Sequence, residues 1–201
     1  MDLASTSLVR LNFETRVHHD AADMFWRSLL VPKVTRAEYM DRLATAYGFT
    51  APFEAACAYT PGLRDTLDLR ARSRAGRLAQ DLLELGLTPS ELSAVPSCFP
   101  IAPFASRIEA LGWLYVIERD TFLHENVRRH LVAELPEVRG ATAYLSSYRD
   151  VTGARWQELG RVLDRLVPHD QRDELLAAAH AGFRCLLEWH AGPRYELARG
   201  A

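Results

Sequence analysis

The chain has 201 residues, a formal net charge of −2 at pH 7, 48% hydrophobic residues and 25% charged residues. This length and composition predict one globular domain with a substantial core. The acidic and basic residues are spread along the chain, which argues against partners such as nucleic acid or an anionic membrane. No apolar run is long enough to cross a bilayer, and the N-terminus lacks the pattern of a signal peptide, so we expect a cytoplasmic protein.

Helical periodicity dominates the sequence from its start. A first helix is predicted over residues 7–31, ended by Pro32. A second helix is predicted after Thr35, which is a good N-cap because Glu38 lies three residues later, and it should end near Gly48.

Further helices are predicted in the middle of the chain. A short helical piece follows Pro52, and a longer helix should cover 63–85 and stop at Gly86. The next stretch, 86–106, contains four prolines and predicts an irregular connection within one domain.

The remaining segments complete an all-α prediction. A long helix is expected over 104–132, and Pro136 and Gly140 then indicate a turn. Three more helical pieces fit 141–150, 152–167 and 170–190. Because strand alternation is absent, we predict a single all-α domain of seven or eight helices, spanning residues 1–201 and packed around one core.

Residues with reactive side chains form few recognisable motifs. The three cysteines, Cys57, Cys98 and Cys185, make neither a CxxC pair nor a zinc spacing, so we expect reduced thiols. The sequence also lacks GxSxG, P-loop, GxGxxG and HExxH patterns. A basic run predicts a solvated helix face, with a basic rim for carboxylates as the alternative; its members are Arg70, Arg72, Arg74 and Arg77.

Two histidines lie on apolar stripes of predicted helices. The stripe of the first helix consists of Leu8, Leu11, Thr15, His19, Ala22 and Trp26. His19 should therefore point inward, and Asp23, one turn later, is placed to orient it. The stripe of the 104–132 helix leads in the same way to His124. Each ring has two interpretations, a core histidine bonded to a neighbouring group or a ligand of a buried metal or cofactor.

The order of several segments resembles the heme oxygenase superfamily, in particular the small bacterial biliverdin-forming type that accompanies phytochromes. The segments are TRVHHDAAD, YMDRLATAYGFTAPFEAA, LAQDLLELG, ALGWLYVIERDTFLHENVRRHL and YRDVTGARWQELGRVLDRL. The likeness covers about residues 8–190 in family order. It implies heme held between a proximal helix and a distal helix.

The resemblance implies roles for residues of the first helix. His19 corresponds to the proximal iron ligand, within the family's spacing of Thr15, His19 and Asp23. Arg16 matches a position that is basic in relatives and would lie near a heme propionate, because a guanidinium binds a carboxylate through paired hydrogen bonds.

The distal helix departs from the family pattern. Active relatives have three glycines where this chain has Arg119, Leu123 and His124. Glycine lets the backbone approach the porphyrin because it has no Cβ. His124 is expected either to coordinate the iron opposite His19 or to fill the pocket. Asp120 matches an aspartate that organises distal water in some relatives.

Three functions follow from these expectations. The first is a degenerate relative that binds heme as a sensor, carrier or regulator. The second is an active oxygenase, in which Asp120 holds a proton-delivering water and an external reductase supplies electrons, with a phytochrome as a possible partner. The third is a helical interaction domain, or a binder of another small molecule, from which bulky distal residues exclude heme.

Overall fold

The computed structural model describes residues 5–192, and within this range the protein is helical without any strand. Eight α-helices have nine or more residues and one has five, so the predicted all-α class is confirmed. Their bounds are α1 Thr6–Glu14, α2 His19–Arg27, α3 Arg36–Tyr59, α4 Ala75–Glu84, α5 Pro89–Ser93, α6 Arg107–Asp120, α7 His124–Glu134, α8 Thr152–Leu166 and α9 Arg172–Ala191. Among the helices of these described residues, none is long and apolar enough to cross a membrane.

Both histidine-bearing helices are interrupted where the sequence predicts continuous helix. A 3₁₀ turn, Arg16–His18, separates α1 from α2, and another, Thr121–Leu123, separates α6 from α7. A threonine lies at each break. The Thr15 hydroxyl donates to the carbonyl of Leu11 (2.7 Å), and the Thr121 hydroxyl donates to the carbonyl of Glu118 (2.7 Å). Hydroxyl bonds of this kind bend helices, and here each bend makes a histidine the first residue of the next helix.

Helix α3 is longer than predicted. It continues past Gly48, where the sequence predicts its end, and includes Pro52. Proline has no N–H to donate to the carbonyl of Gly48, and that carbonyl instead accepts the backbone N–H of Cys98 (2.8 Å). A Cβ at position 48 would collide with the carbonyl oxygen of Pro96, so this contact requires glycine. The connection after α5 therefore replaces the missing helical hydrogen bond. The predicted start is confirmed, since Thr35 and Glu38 form a capping box.

The helix predicted over 63–85 is much shorter in the structure. It begins at Ala75, because the Glu54 carboxylate accepts the backbone N–H groups of Arg74 (2.5 Å) and Ala75 (3.0 Å) and so caps α4. Its predicted end is confirmed, because Gly86 has a φ of 92° that favours glycine.

The helix predicted over 141–150 is absent, and turns take its place from residue 143 to residue 150. The Asp81 carboxylate accepts the backbone N–H groups of Ala143 and Tyr144 (both 2.8 Å), which holds this segment against α4. Burial raises the pKa of Asp81 to about 6, although these two hydrogen bonds oppose the rise.

The buried apolar side chains form two clusters instead of the single predicted core. One cluster lies mainly among α1, α6, α8 and α9 and includes Leu11, Leu111, Leu163 and Phe183. The other lies mainly among α2, α3, α4 and α7 and includes Trp26, Leu43, Leu82 and Val127. The C-terminal end of α6 lies between these two groups of helices, and it positions the site described below.

The packing of α6 on α9 gives the first prediction. A Cβ at Gly112 would lie 2.6 Å from the Ala178 Cβ and 2.7 Å from the carbonyl oxygen of Leu175. We expect Gly112→Ala to lower the free energy of unfolding by about 1–3 kcal/mol, because the two helices must separate. Urea denaturation measures this change. Gly153→Ala is the matched control, since a Cβ there meets nothing within 4 Å and alanine favours α8. Equal stability of the two variants would contradict close packing at Gly112.

Candidate functional site

The ring of His19 is partly buried and takes part in a local hydrogen-bond network. Its Nε2 lies 3.1 Å from Thr15 Oγ1, and the hydroxyl of Tyr115 also lies 3.1 Å from that atom. Because Thr15 donates its proton to the carbonyl of Leu11, we assign His19 Nε2 and Tyr115 as donors to Thr15. Burial and the nearby Arg119 lower the pKa of His19 to about 4. The ring is therefore neutral at pH 7, with Nε2 carrying the proton.

Asp23, which the sequence places to orient His19, bonds to two guanidinium groups. Its Oδ1 accepts a hydrogen bond from Arg119 (2.6 Å), and its Oδ2 accepts one from Arg27 (3.2 Å). Arg119 occupies the first glycine position of the family pattern, on α6. The Asp23–Arg119 pair therefore joins α2 to α6, with 9% and 16% of the two side chains exposed.

A second hydrogen bond joins the same helices. The indole Nε1–H of Trp26 donates to Asp120 Oδ2 (2.7 Å), and His124 Nε2 donates to the same oxygen (3.3 Å). Burial alone raises the pKa of Asp120, but the hydrogen bonds from His124 and Trp26 outweigh it, and the pKa is lowered. Burial lowers the pKa of His124, so this ring is neutral too.

The environment of His124 is closed by aromatic side chains. Its ring centroid lies 5.3 Å from that of Trp26 and 4.8 Å from that of Tyr144, and only 3% of the side chain is exposed. Its Nδ1 is buried and has no hydrogen-bond partner among residues 5–192. The ring contacts groups of the core, which agrees with the structural interpretation of this histidine.

Three other candidate residues have different environments. Thr15 is fully buried. Arg16 is exposed, and its guanidinium stacks over the ring of Phe13 at 4.7 Å. His18, adjacent to the predicted ligand, lies with its Nε2 2.9 Å from Nδ1 of His180. The role of Arg16 toward a propionate stays a prediction.

An open cleft of about 650 Å³ lies beside these contacts, between α1 and α8, and we call it the α1–α8 cleft. Its lining mixes apolar, aromatic and charged side chains: Leu8, Val9, Asn12, Asp23, Arg119, Phe122, Leu123, Trp156, Arg161 and Asp164. Neither His19 nor His124 is among its lining residues. The cleft therefore approaches the predicted heme site from the side of Asp23 and Arg119.

The residues present do not fit a heme held between His19 and His124. Direct hydrogen bonds from Trp26 to Asp120 and from Arg119 to Asp23 join α2 to α6, the two helices between which the resemblance predicts the porphyrin. Both ring Nε2 atoms are engaged, one with Thr15 and one with Asp120. In the described part of the chain, no group of three or more His, Cys, Asp and Glu side chains is arranged to hold a metal ion.

The sequence did not reveal that residues of α8 line the cleft. Trp156 and Arg161 lie five residues apart in this helix, and the chain pattern gives no sign that they face α1. The charged contacts of α6, in contrast, are indicated by the sequence. Three consecutive charged residues, Glu118, Arg119 and Asp120, follow an apolar stretch in the same helix, and each charge needs a partner if it is buried.

The partly buried His190 of α9 gives a prediction about pH. His190 stacks on Phe25 (ring centroids 3.7 Å apart), and burial lowers its pKa to about 4, with Asp120 raising it and Arg42 lowering it. The unfolded chain takes up a proton near pH 6.5, so the stability from the neutral ring is complete above that pH and is lost as pH falls toward 4. We expect His190→Phe to remove about 1–2 kcal/mol of the loss in unfolding free energy between pH 7 and pH 5.

Urea denaturation at both pH values measures the effect of His190→Phe. The control is His169→Gln, because this ring is exposed in the turn before α9. An unchanged pH dependence in His190→Phe would mean that His190 is protonated equally well in the folded and unfolded chains.

Comparisons with known proteins do not identify a family for this chain. No protein-family model matches it, and no curated protein matches it. Membership of the heme oxygenase superfamily stays a prediction that rests on the segments quoted above.

Proposed function

We propose that the protein binds a flat, mostly apolar small molecule with an acidic group in the α1–α8 cleft, and that it does not oxidise this ligand. The lining of the cleft is the observation that carries the proposal. Val9 and Phe122 are 58% and 51% exposed there, although both are large apolar side chains. A ligand that covers them would remove apolar surface from water, and about 650 Å³ is within the usual range of ligand pockets.

Aromatic side chains give the cleft a surface suited to a flat molecule. The rings of Phe122 and Trp156 meet edge to face, with centroids 5.1 Å apart and an interplanar angle of 79°. Trp156 also contacts Tyr115 (5.5 Å), which fixes its position against α6. A planar ligand would extend this aromatic cluster by stacking or edge contacts.

The charges of the cleft favour an acidic ligand. Asp164 Oδ1 accepts the backbone N–H of Ser7 (2.9 Å) at the first turn of α1, so its charge is partly balanced by the helix end. Asp23 is paired with Arg119 and Arg27. Arg161 is exposed and takes part in none of the ion pairs found among residues 5–192, which leaves its guanidinium free for a carboxylate.

Binding without oxidation is supported by the state of the distal helix. The glycine positions that let a porphyrin approach the backbone in active relatives hold Arg119, Leu123 and His124. Asp120 accepts hydrogen bonds from Trp26 and His124, so its Oδ2 is occupied by protein donors. The residue expected to organise distal water instead holds two helices together.

Protoporphyrin IX tests this proposal, because it is flat, carries two carboxylates and contains no iron. We expect it to bind the wild-type protein, and Arg161→Met to weaken binding about fivefold, as for one exposed ion pair. Titration followed by porphyrin fluorescence measures the affinity. Arg165→Met is the matched control, since Arg165 is also exposed on α8 but does not line the cleft. Absence of binding, or equal weakening in the two variants, would contradict the proposal.

Heme is a second candidate ligand, and the state of His19 favours it. The His19 ring is neutral, as an imidazole ligand must be, and it interacts electrostatically with Asp23 and Arg119, which both line the cleft. Coordination would require His19 Nε2 to leave Thr15 and the Asp23–Arg119 pair to open. His124 would have no part in it, because its ring is enclosed with Trp26 and Tyr144.

Arg119→Gly tests the heme candidate, because it introduces a glycine where the resemblance predicts one and removes the α6 partner of Asp23. We expect this variant to bind hemin more tightly than the wild type, with a Soret band that changes when His19→Ala is added. His124→Ala is the control, and adding it should leave the spectrum unchanged. A spectrum of Arg119→Gly that is indifferent to His19→Ala would exclude His19 as the ligand. Biliverdin formed by the wild type with hemin, ascorbate and air would instead establish an oxygenase.

A further inference from the structure

A second cleft, of about 530 Å³, lies on another side of α6, and we call it the α3–α6 cleft. Its apolar wall includes Phe53 and Ala58 of α3 and Leu114 and Ile117 of α6. Arg72 and Arg74 also line it. These arginines belong to the basic run for which the sequence predicts a solvated helix face. That prediction is wrong for both, because they are only 4% and 2% exposed.

The two arginines differ in how their charges are balanced. Arg72 Nη1 lies 2.7 Å from Glu118 Oε2, and its Nη2 donates to Glu158 Oε2 (3.0 Å). The other oxygen of Glu118 accepts the hydroxyl proton of Tyr148 (2.9 Å). The charge of Arg72 is therefore balanced by two carboxylates, although its buried Nε has no hydrogen-bond partner among residues 5–192.

Arg74 forms no direct ion pair among residues 5–192, although, against the opposing effect of burial, Glu118 and Asp120 interact with it electrostatically and raise its pKa. Its Nη2 donates to the carbonyl of Ile117 (3.2 Å), and its guanidinium lies 5.0 Å from the ring centre of Tyr148. Its Nε and Nη1 are buried and have no hydrogen-bond partner among residues 5–192. The Glu54 carboxylate lies on the same cleft but binds the backbone N–H groups of Arg74 and Ala75 and the Ser73 hydroxyl.

A buried guanidinium with two unpartnered donors strongly favours an acceptor that carries negative charge. Arginine presents its donors in a planar fork that matches a carboxylate or phosphate group. Exposed Arg64 and Arg70 line the cleft together with exposed Asp68. The four arginines of the lining outnumber its three carboxylates, which belong to Glu54, Asp68 and Glu118, so the cleft favours the approach of an anion. The apolar wall is much larger than one anionic group needs, and it suits a hydrocarbon body attached to that group.

We propose that the α3–α6 cleft binds an amphiphile whose carboxylate or phosphate oxygens accept hydrogen bonds from Nε and Nη1 of Arg74. The apolar body of this ligand lies against Phe53, Leu114 and Ile117. This site is distinct from the α1–α8 cleft, and it does not depend on whether that cleft binds a porphyrin.

Octanoate and 1-octanol test the proposal, because they share an eight-carbon body and differ in the charged head. Isothermal titration should show octanoate binding at least tenfold more tightly than 1-octanol, which corresponds to about 1.4 kcal/mol. Arg74→Met should abolish this preference. Arg77→Met should keep it, because Arg77 is exposed on α4 and does not line the cleft. Equal binding of octanoate and 1-octanol to the wild type would overturn the proposal.

Two further measurements cover the case in which Arg74→Met does not fold. Ala58→Trp fills the cleft from α3 without removing a charge, and it should weaken octanoate binding at least tenfold. In the wild type, NMR of the arginine Nε–H groups should show one buried signal that shifts as octanoate saturates the protein, and octyl phosphate should shift the same signal. If neither ligand moves it, buried water satisfies Arg74 and the proposal is wrong.

Discussion

Three consecutive charged residues at the end of α6 hold the molecule together around its candidate sites. Helical geometry turns successive side chains by 100°, so Glu118, Arg119 and Asp120 reach different neighbours. Glu118 pairs with Arg72, Arg119 pairs with Asp23 of α2, and Asp120 accepts the indole N–H of Trp26. Charges that leave water need such partners, and the requirement fixes α6 against α2 and against the segment before α4.

This arrangement changes what the two inward histidines can do. In the predicted heme site, His19 and His124 would face a flat ligand from opposite sides, but here each donates its Nε2 proton to a neighbouring side chain. Burial keeps both rings neutral, which is the state of a metal ligand and equally that of a core histidine. The hydrogen bonds of the two rings support the core-histidine interpretation, and our proposal places the binding surface in the cleft between α1 and α8.

The parts of the fold that were predictable depend on local chemistry. The Thr35 capping box and the left-handed Gly86 are properties of a few neighbouring residues, and both were evident in the sequence. The inward stripe leading to Trp26 also follows from helical spacing alone. The parts that were not predictable depend on distant groups. Pro52 is tolerated inside α3 because Cys98 binds the carbonyl of Gly48, and no local pattern reveals that contact.

Burial of Arg74 shows the same limit for function. A run of alternating arginines predicts a solvated face when only spacing is considered, yet Glu54 ends that segment as a turn and starts α4 at Ala75. The turn directs Arg72 and Arg74 toward Glu118, which an apolar helix would otherwise leave unpaired. Arg72 forms ion pairs with Glu118 and Glu158, whereas Arg74 forms none among residues 5–192. Glu118 and Asp120 stabilise the charge of Arg74, but its Nε and Nη1 have no hydrogen-bond partner among residues 5–192, and the proposed ligand would supply these acceptors.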